Sequence, residues 1–355
     1  MNNKLYFKSK SQKQYQTLDD YYFNSIVREL RATEATKILK RDVAELLNSS
    51  FVKKVNPFEE YFMTLPEWDG KTDHLQELAD TIEVSLETRE FWNECFKKWI
   101  VASVACSLDS DITNHQVLIF SGAQGIGKTT WMKRLVPQRL SEYYYGGSIN
   151  LGNKDTEIQL AENFLINLDE LENLGRKNMS ALKEIITKPS IKLRRPYGSV
   201  AETMQRRASF MGSINNLEFL TDTTGNRRFL CFEVLSIDKD HTLDMDLIYA
   251  QAYHMYMNDF KFWMDRADIQ KIEMHNKNFQ YVPLEQEILE KYFRPCIGND
   301  KPDMELETED LIEQLLSKSK LASRLSTNKL GSILSRLNWP KRKTKGRRYW
   351  LLNAA

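Results

Sequence analysis

Residues 122–131, GAQGIGKTTW, carry glycine, lysine and threonine at a spacing that suits phosphate chemistry. Residues 122–129 fit the pattern GxxxxGK[ST], with the apolar run VLIF before it and KTTWMKRL, a potential helix, after it. Glycines let backbone N–H groups converge on phosphate oxygens, and the amino end of a helix adds a favourable dipole. The pattern predicts a nucleotide-binding loop made of Gly122, Ala123, Gln124, Gly125, Ile126, Gly127, Lys128, Thr129 and Thr130.

Within this loop, two side chains have predicted roles toward ATP and its magnesium ion. Lys128 is expected to neutralise the β- and γ-phosphates, and the Thr129 hydroxyl is expected to ligate Mg²⁺. An acidic element follows in FLINLDE, residues 164–170. There we expect Asp169 to hold the Mg²⁺ shell and Glu170 to orient and deprotonate the attacking water. Acids are also common where a helix starts after a strand, but the loop upstream favours the catalytic interpretation.

Two further polar elements follow in order. RASFMGSIN ends at Asn215, whose amide could touch the γ-phosphate or its water. TGNRRF then presents Arg227 and Arg228, and an arginine that reaches a neighbouring subunit's nucleotide would stabilise the charge that develops in phosphoryl transfer. A turn asparagine and surface arginines are the plain alternatives, and the residues alone leave both open.

Short apolar runs surround these residues between about 114 and 235 and predict the elements that position them. They are HQVLIFSG, SINLG, ENFLINLDE, RASFMGSIN and RRFLCFEV. Nearly continuous apolar strands are typical of a sheet covered on both faces, so the pattern predicts a three-layer α/β domain with a mainly parallel sheet. Residues 1–110 carry apolar residues at helical spacing and predict a helical domain.

Composition limits the remaining classes. The chain has 355 residues, 41% of them hydrophobic, and a net charge of +1, so nucleic-acid contacts must come from local clusters. Four cysteines without a CxxC pair argue against a disulfide framework and a zinc knuckle. The start MNNKLYFKSK has no apolar stretch, and no window suits a membrane span, which predicts a cytoplasmic protein without a membrane partner.

Five segments occur together in the order GAQGIGKTTW, NLDELENL, LKEIITKPSIKLRRPYGSV, RRASFMGSIN and FLTDTTGNRRF. This set resembles the virulence-associated protein E family of mobile elements and phages, which is similar to superfamily 3 helicases. The resemblance covers roughly residues 115–235, and PEWDGK looks like an upstream segment of that family. It implies an AAA+-like P-loop ATPase core in a ring, often hexameric, with nucleotide between subunits. Asn215 would be the sensor, and Arg227 or Arg228 would be the finger acting in trans.

The resemblance also implies a hairpin that grips DNA in the ring channel. The predicted contacts are Lys192, Arg194, Arg195 and Tyr197, followed beyond a Gly-Ser turn by Arg206 and Arg207. Cations beside an aromatic ring suit a phosphate track with a stacking base. A solvated basic turn, or arginines that read a neighbour's nucleotide, are the alternatives.

The C-terminal segment predicts a winged-helix-like DNA-binding domain over residues 299–355. STNKLGSILSRLNW predicts a capped helix with an apolar face, and PKRKTKGRRYWLL predicts a basic hairpin turning at Gly346. The expected DNA contacts are Lys329, Arg336, Lys341, Arg342, Lys343, Lys345, Arg347 and Arg348. A solubilising edge is the alternative. NDKPDMELETED, residues 299–310, is predicted to be a linker, and residues 111–298 the ATPase core with a helical lid.

These observations predict an ATP-dependent motor that acts on single-stranded or forked DNA, as a replicative helicase or initiator of a phage, plasmid or genomic island. The region before the ATPase is short and has no evident acidic metal cluster, so we expect priming to need a separate primase partner. A regulatory or defence NTPase that uses ATP as an assembly switch, with DNA only as a tether, is the second hypothesis. A small-molecule kinase is the third, and the basic C-terminus disfavours it.

Overall fold

The computed structural model describes residues 5–8, 16–33, 37–53, 55–147, 153–168, 171, 176–193, 202–220, 225–298, 301–319, 325–344 and 346–355. The chain forms two compact units, Met1–Phe279 and Gln280–Ala355. Helices of the first unit are α1 (Asp20–Thr33), α2 (Lys40–Leu47), α3 (Pro57–Met63), α4 (His74–Ala79), α5 (Arg89–Leu108), α6 (Lys128–Arg134), α7 (Lys154–Glu162), α8 (Arg176–Thr187), α9 (Met245–Met257) and α10 (Arg266–His275). Its strands are β1 (Tyr6–Phe7), β2 (Gln16–Thr17), β3 (Ile82–Glu83), β4 (Val117–Ser121), β5 (Tyr144–Gly147), β6 (Leu165–Leu168), β7 (Ser190–Leu193), β8 (Glu202–Gln205), β9 (Ser209–Ile214), β10 (Phe229–Glu233) and β11 (Ser236–Ile237).

A five-stranded parallel sheet in the order β10-β4-β9-β6-β5 lies at the centre of the first unit. Successive side chains of a strand point to opposite faces, and both faces of this sheet are apolar. Leu118 and Phe120 enter one buried cluster, with residues of α5 and α9. Val117 and Ile119 enter the other, with residues of α7 and α8. The predicted α/β fold with a mainly parallel sheet is confirmed.

Four of the five predicted strands coincide with β4, β6, β9 and β10. The fifth predicted strand, SINLG, is residues 148–152, which lie outside the described residues. The fifth strand of the sheet is instead β5, with the sequence YYGG. Two glycines lower the strand propensity of this segment, so only its pairing with β6 identifies it.

The predicted N-terminal helices are present, but their core is continuous with that of the sheet. Residues of α3, α4 and α5 share one buried cluster with β4, β9 and β10. The indole Nε1 of Trp131, on α6, donates to the Thr81 hydroxyl at 2.7 Å. Helix α5 is buried along most of its length because it packs between the sheet and α9, which requires apolar residues on more than one face.

The second unit contains α11 (Leu284–Tyr292), β12 (Phe293–Pro295), β13 (Met304–Leu306), α12 (Thr308–Lys318), α13 (Thr327–Arg336), β14 (Lys341–Thr344) and β15 (Arg347–Ala354). Strand β15 pairs antiparallel with β12, β13 and β14. The Ser326 hydroxyl caps α13 by accepting from the Lys329 N–H at 3.2 Å, and Leu330, Ile333 and Leu334 are buried. The predicted capped helix and hairpin are therefore present.

The boundary of this unit differs from the sequence-based expectation. Residues 280–298, which we assigned to a lid of the core, group with the C-terminal residues, and Ile288 and Leu289 enter the core of the second unit. The linker prediction for 299–310 is wrong, because β13 and the start of α12 lie there. Strand β13 has three residues and pairs with β15 more than 40 residues later, so no local pattern marks it.

Among the described residues, no helix combines the length and apolarity that crossing a membrane requires.

Substitution of Trp131 tests whether the sheet and the N-terminal helices share one hydrophobic core. It is fully buried, and its ring centroid lies 5.9 Å from that of Phe96 and 5.4 Å from that of Phe120. We expect Trp131→Ala to lower the free energy of unfolding by about 3–5 kcal/mol, because it leaves a cavity and removes the hydrogen bond from the indole to the Thr81 hydroxyl. Urea denaturation measures this loss. The control is Trp263→Ala, since Trp263 is 56% exposed, and it should change stability by less than about 0.5 kcal/mol. Equal losses for both variants would contradict the shared core.

Candidate nucleotide site

The predicted nucleotide loop connects β4 to α6 at the carboxyl edge of the sheet. Gly125 and Gly127 have φ angles of 87° and 98°, which favour glycine. Residues 123–125 and both Thr129 and Thr130 are exposed. The loop therefore presents backbone and hydroxyl groups to solvent next to a rigid strand and helix.

Lys128 lies beneath this loop, and its side chain joins two predicted site elements. Its ammonium donates to the carbonyl oxygens of Gly122 at 2.7 Å and Ala123 at 2.8 Å, and to Asn215 Oδ1 at 3.3 Å. Lys128 is only 6% exposed. The structure thus brings the predicted loop lysine and the predicted sensor asparagine into contact.

Strand order explains why Asn215 reaches this place. Strand β9 lies between β4 and β6, and Ile214 is in register with Ser121, the last residue of β4. The carboxyl ends of neighbouring parallel strands meet at one edge, so the residue after β9 lies beside the loop after β4. Strand β6 ends at Leu168, in register with Gly212 of β9. Asp169 and Glu170 follow directly and lie outside the described residues.

Ser213 is a site residue that the sequence analysis did not single out. Its hydroxyl oxygen lies 3.4 Å from that of Thr129, the predicted magnesium ligand. Ser213 lies in β9, and Asn215, two positions along, directly follows that strand; this spacing places side chains on one side of an extended chain. The alternation of side chains along a strand is the sequence signal that could have identified Ser213. Oxygen donors of this kind suit Mg²⁺, so Thr129, and Ser213 beside it, fit the predicted ion.

The two predicted trans-acting arginines lie at the opposite edge of the sheet. Arg227 and Arg228 precede β10, whose first residue is in register with Val117, at the start of β4. The nucleotide loop follows the end of β4, five residues farther along. At about 3.3 Å per strand residue, roughly 16 Å separates the two edges. Neither arginine therefore shares an edge with Lys128 of its own chain.

The environments of the two arginines differ. Arg227 is exposed, and no hydrogen bond or ion pair joins it to another described residue. Arg228 is half-buried, donates to the Gly225 carbonyl at 3.4 Å, and has a buried Nε without a partner among the described residues. Burial, and then the adjacent Arg227, lower the pKa of Arg228. Of the two, Arg227 has the freedom to reach another molecule.

The base of the predicted DNA-gripping hairpin is described, and its tip is not. Strands β7 and β8 pair antiparallel, with Lys192 exposed opposite Thr203. Arg194, Arg195 and Tyr197 lie outside the described residues. Arg206 corrects the expectation of a basic surface, since it is 1% exposed. Its guanidinium donates to backbone carbonyls of the core, those of Ala208, Ile186 and Asn114. It stabilises the hairpin base instead of facing solvent.

In the second unit, several predicted DNA-contacting residues have partners within the unit. The pairs are Lys329 with Glu285 at 3.4 Å, Arg342 with Glu305 at 2.5 Å, and Arg347 with Glu307 at 3.1 Å. Arg336 faces α11, where it donates to Gln286 Oε1 at 2.6 Å. Lys341, Lys343 and Arg348 are exposed and have no carboxylate partner among the described residues. Lys345 lies outside the described residues.

The sequence profile of the virulence-associated protein E-like domain matches residues 63–281. The chain belongs to this family. The resemblance seen in the sequence is therefore confirmed. The match includes the nucleotide loop, Asn215, both arginines and the hairpin, and it ends two residues beyond the first unit.

Solved structures similar to this virulence-associated protein E-like chain support its fold. The apo structure of the NrS-1 C-terminal region (305–718) aligns with 99% of this chain and 94% of its own, at a TM-score of 0.53 and 14% identity. The A form apo structure of the same region aligns with 97% of this chain and 93% of its own, at a TM-score of 0.51 and 14% identity. At this identity the likeness concerns the fold alone. None of the curated proteins compared with the chain matches it.

Proposed function

We propose that this virulence-associated protein E-like chain is an ATPase with an AAA+-like core that hydrolyses ATP between subunits of a ring and acts on DNA. One observation carries the proposal: Lys128 and Asn215 meet at one edge of the sheet, while Arg227 stands at the other. A nucleotide held by the loop needs an arginine from another subunit to complete the site. A head-to-tail ring supplies that arginine at every junction.

The described residues of the loop and of β9, together with the two acids that follow β6 in the sequence, suit water attack on a γ-phosphate. Lys128 would exchange the carbonyls of Gly122 and Ala123 for phosphate oxygens. Asn215 would orient the water, and Glu170 would take its proton. Mg²⁺, held by Thr129 and Asp169, would neutralise charge on the phosphates when bound. Arg227 of the next subunit would stabilise the charge that develops on the leaving group.

The connection from this site to the hairpin supports action on DNA. Strand β8 ends at Gln205 and β9 begins at Ser209, so three residues separate the hairpin from the strand that carries Asn215. Arg206, in that interval, donates to the carbonyl of Ala208, directly before β9, and to that of Asn114, which precedes β4. A shift of β9 with the nucleotide state would therefore move the hairpin base with it. This coupling favours a helicase or initiator of a mobile element. So does the basic hairpin of the second unit, which we propose to be part of a winged-helix-like DNA reader.

The first test removes the loop lysine. We expect the unsubstituted chain to hydrolyse ATP, with single-stranded DNA raising the rate, and Lys128→Ala to lower the rate at least about 100-fold because it removes the phosphate-binding cation. A phosphate-release assay measures both. Lys133→Ala is the matched control, since Lys133 is exposed on the same helix and should leave the rate unchanged. Absence of hydrolysis by the unsubstituted chain would refute the proposal. If DNA leaves the rate of hydrolysis unchanged, the result would favour the assembly-switch hypothesis. A separate primase would then no longer be implied.

The second test asks whether Arg227 acts in trans. Arg227→Ala and Lys128→Ala are each expected to be inactive, because the first lacks the finger and the second lacks the loop cation. In a random equal mixture, one junction in four joins an intact loop to an intact Arg227, so about a quarter of the full rate should return.

The control for this mixing experiment is Arg228→Ala in place of Arg227→Ala. Because Arg228 is half-buried and bonded within its own turn, its loss should lower the melting temperature more than Arg227→Ala does. Mixtures that recover no activity would show that Arg227 does not act across a junction.

The third test concerns the basic hairpin of the second unit. We expect Lys343→Ala with Arg348→Ala to weaken single-stranded DNA binding and to reduce the slope of log K against log salt by about 1.4, the value for two lost phosphate contacts. The matched control is Arg342→Ala with Arg347→Ala, since Glu305 and Glu307 already pair with these arginines and its slope should change less. Fluorescence anisotropy across a salt series measures both. Equal slopes for all three proteins would contradict a DNA-binding hairpin.

A further inference from the structure

The segment after β10 folds back across the nucleotide loop and brings a second lysine to it. Val234 follows β10, and its carbonyl oxygen lies so close to Gly122 that a Cβ there would meet it at 2.5 Å. Farther along, the side chain of Lys239 lies against Gly127. A Cβ on Gly127 would meet Lys239 Cδ at 2.6 Å and Lys239 Cβ at 3.1 Å. The aliphatic part of Lys239 therefore covers the residue that directly precedes Lys128.

Several bonds hold this segment in place. Arg134, on the helix that follows the nucleotide loop, donates to the carbonyl oxygens of Lys239 and His241, both at 2.6 Å. The Asp238 N–H donates to the Thr81 carbonyl at 2.9 Å. Strand β11 pairs with β3, with Ser236 opposite Glu83. Bonds to α6 and to the N-terminal residues therefore fix the backbone position of Lys239. That position does not depend on contacts of its flexible side chain alone.

The ammonium of Lys239 is placed to meet an anion. Its side chain is 44% exposed, and the described residue that pairs with Nζ is the adjacent Asp240, at 3.1 Å. Asp240 is itself 78% exposed, and an exposed ion pair of this kind is worth little in water. In the Lys239 side chain, Cδ and Nζ are two bonds apart, a distance of about 2.5 Å. Nζ therefore lies within reach of a phosphate chain that rests on the loop.

We propose that Lys239 is a second cationic contact of the nucleotide site, binding the phosphate chain of a nucleoside di- or triphosphate within the same subunit. This inference rests on the proposed function of the loop. Lys128 approaches the phosphates from beneath the loop, and Lys239 approaches from the side of the segment after β10. An ammonium is a compact charge that suits phosphate oxygens without requiring a fixed planar geometry. Because it contacts the ground state and the transition state alike, Lys239 contributes to affinity more than to turnover.

The test separates the charge of Lys239 from its aliphatic packing. Lys239→Met keeps the methylenes over Gly127 and removes the ammonium, so we expect ADP with magnesium to bind about tenfold more weakly while thermal unfolding is unchanged. Lys239→Arg keeps the charge and should retain most of the affinity. In hydrolysis, Lys239→Met should raise the KM for ATP by a similar factor and leave kcat within about twofold. Calorimetric titration with ADP measures the affinity without any need for turnover.

Lys261→Met is the matched control. Lys261 is 46% exposed and pairs with Asp265 at 2.6 Å, which closely resembles the exposure and pairing of Lys239, but it lies in the turn before α10. Its variant should bind ADP as the unsubstituted chain does. Unchanged affinity in Lys239→Met, while Lys128→Ala loses binding, would overturn this inference and leave the proposed function standing. If the unsubstituted chain binds no ADP, both fail together.

Discussion

Parallel pairing of five strands buried on both faces is the constraint on which the candidate site depends. Because all strands run the same way, their carboxyl ends form one edge and their amino ends the other. The nucleotide loop and Asn215 belong to the first edge, and Arg227 belongs to the second. Pairing of β9 with β4 brings the asparagine beside Lys128, a contact that requires these two strands to be neighbours. The same geometry keeps Arg227 away from the nucleotide loop of its own chain.

Packing around the loop shows how the rest of the first unit supports this edge. One buried cluster joins the sheet to α3, α4, α5 and α9, and Trp131 links that cluster directly to the helix after the loop. The segment after β10 is bonded to the same helix through Arg134. At the other face, buried Arg206 ties the base of the hairpin to core carbonyls. A guanidinium without a carboxylate partner is costly to bury, and its hydrogen bonds to carbonyls and its position 4.8 Å from the centroid of the Phe210 ring offset that cost. The nucleotide edge and the hairpin are thus parts of one packed structure.

Charge is organised differently in the second unit. Its basic residues are not a uniform surface, because carboxylates of α11, β13 and the start of α12 pair with several of them. Among the predicted DNA contacts that the structure describes, those of the β14–β15 hairpin without such a partner are Lys343 and Arg348, with Lys341 over the Trp350 ring at 5.5 Å. An interaction with nucleic acid would therefore depend on the hairpin more than on α13. Counting basic residues in the sequence overstates the field that the folded unit presents.

The sequence by itself determined the loop, the strands that precede Lys128 and Asn215, the capped helix α13 and the family, because each depends on residues close together in the chain. Most of the fold class was accessible in the same way, since apolar runs of strand length mark a sheet covered on both faces. Tertiary structure alone decided the strand order, the burial of Arg206, the contact of Lys239 with Gly127 and the place of β13, which pairs with a strand more than 40 residues away. Each of these requires two distant segments to meet. Whether a lysine or arginine is exposed, paired or buried depends on contacts between distant segments, and no local sequence pattern predicts it.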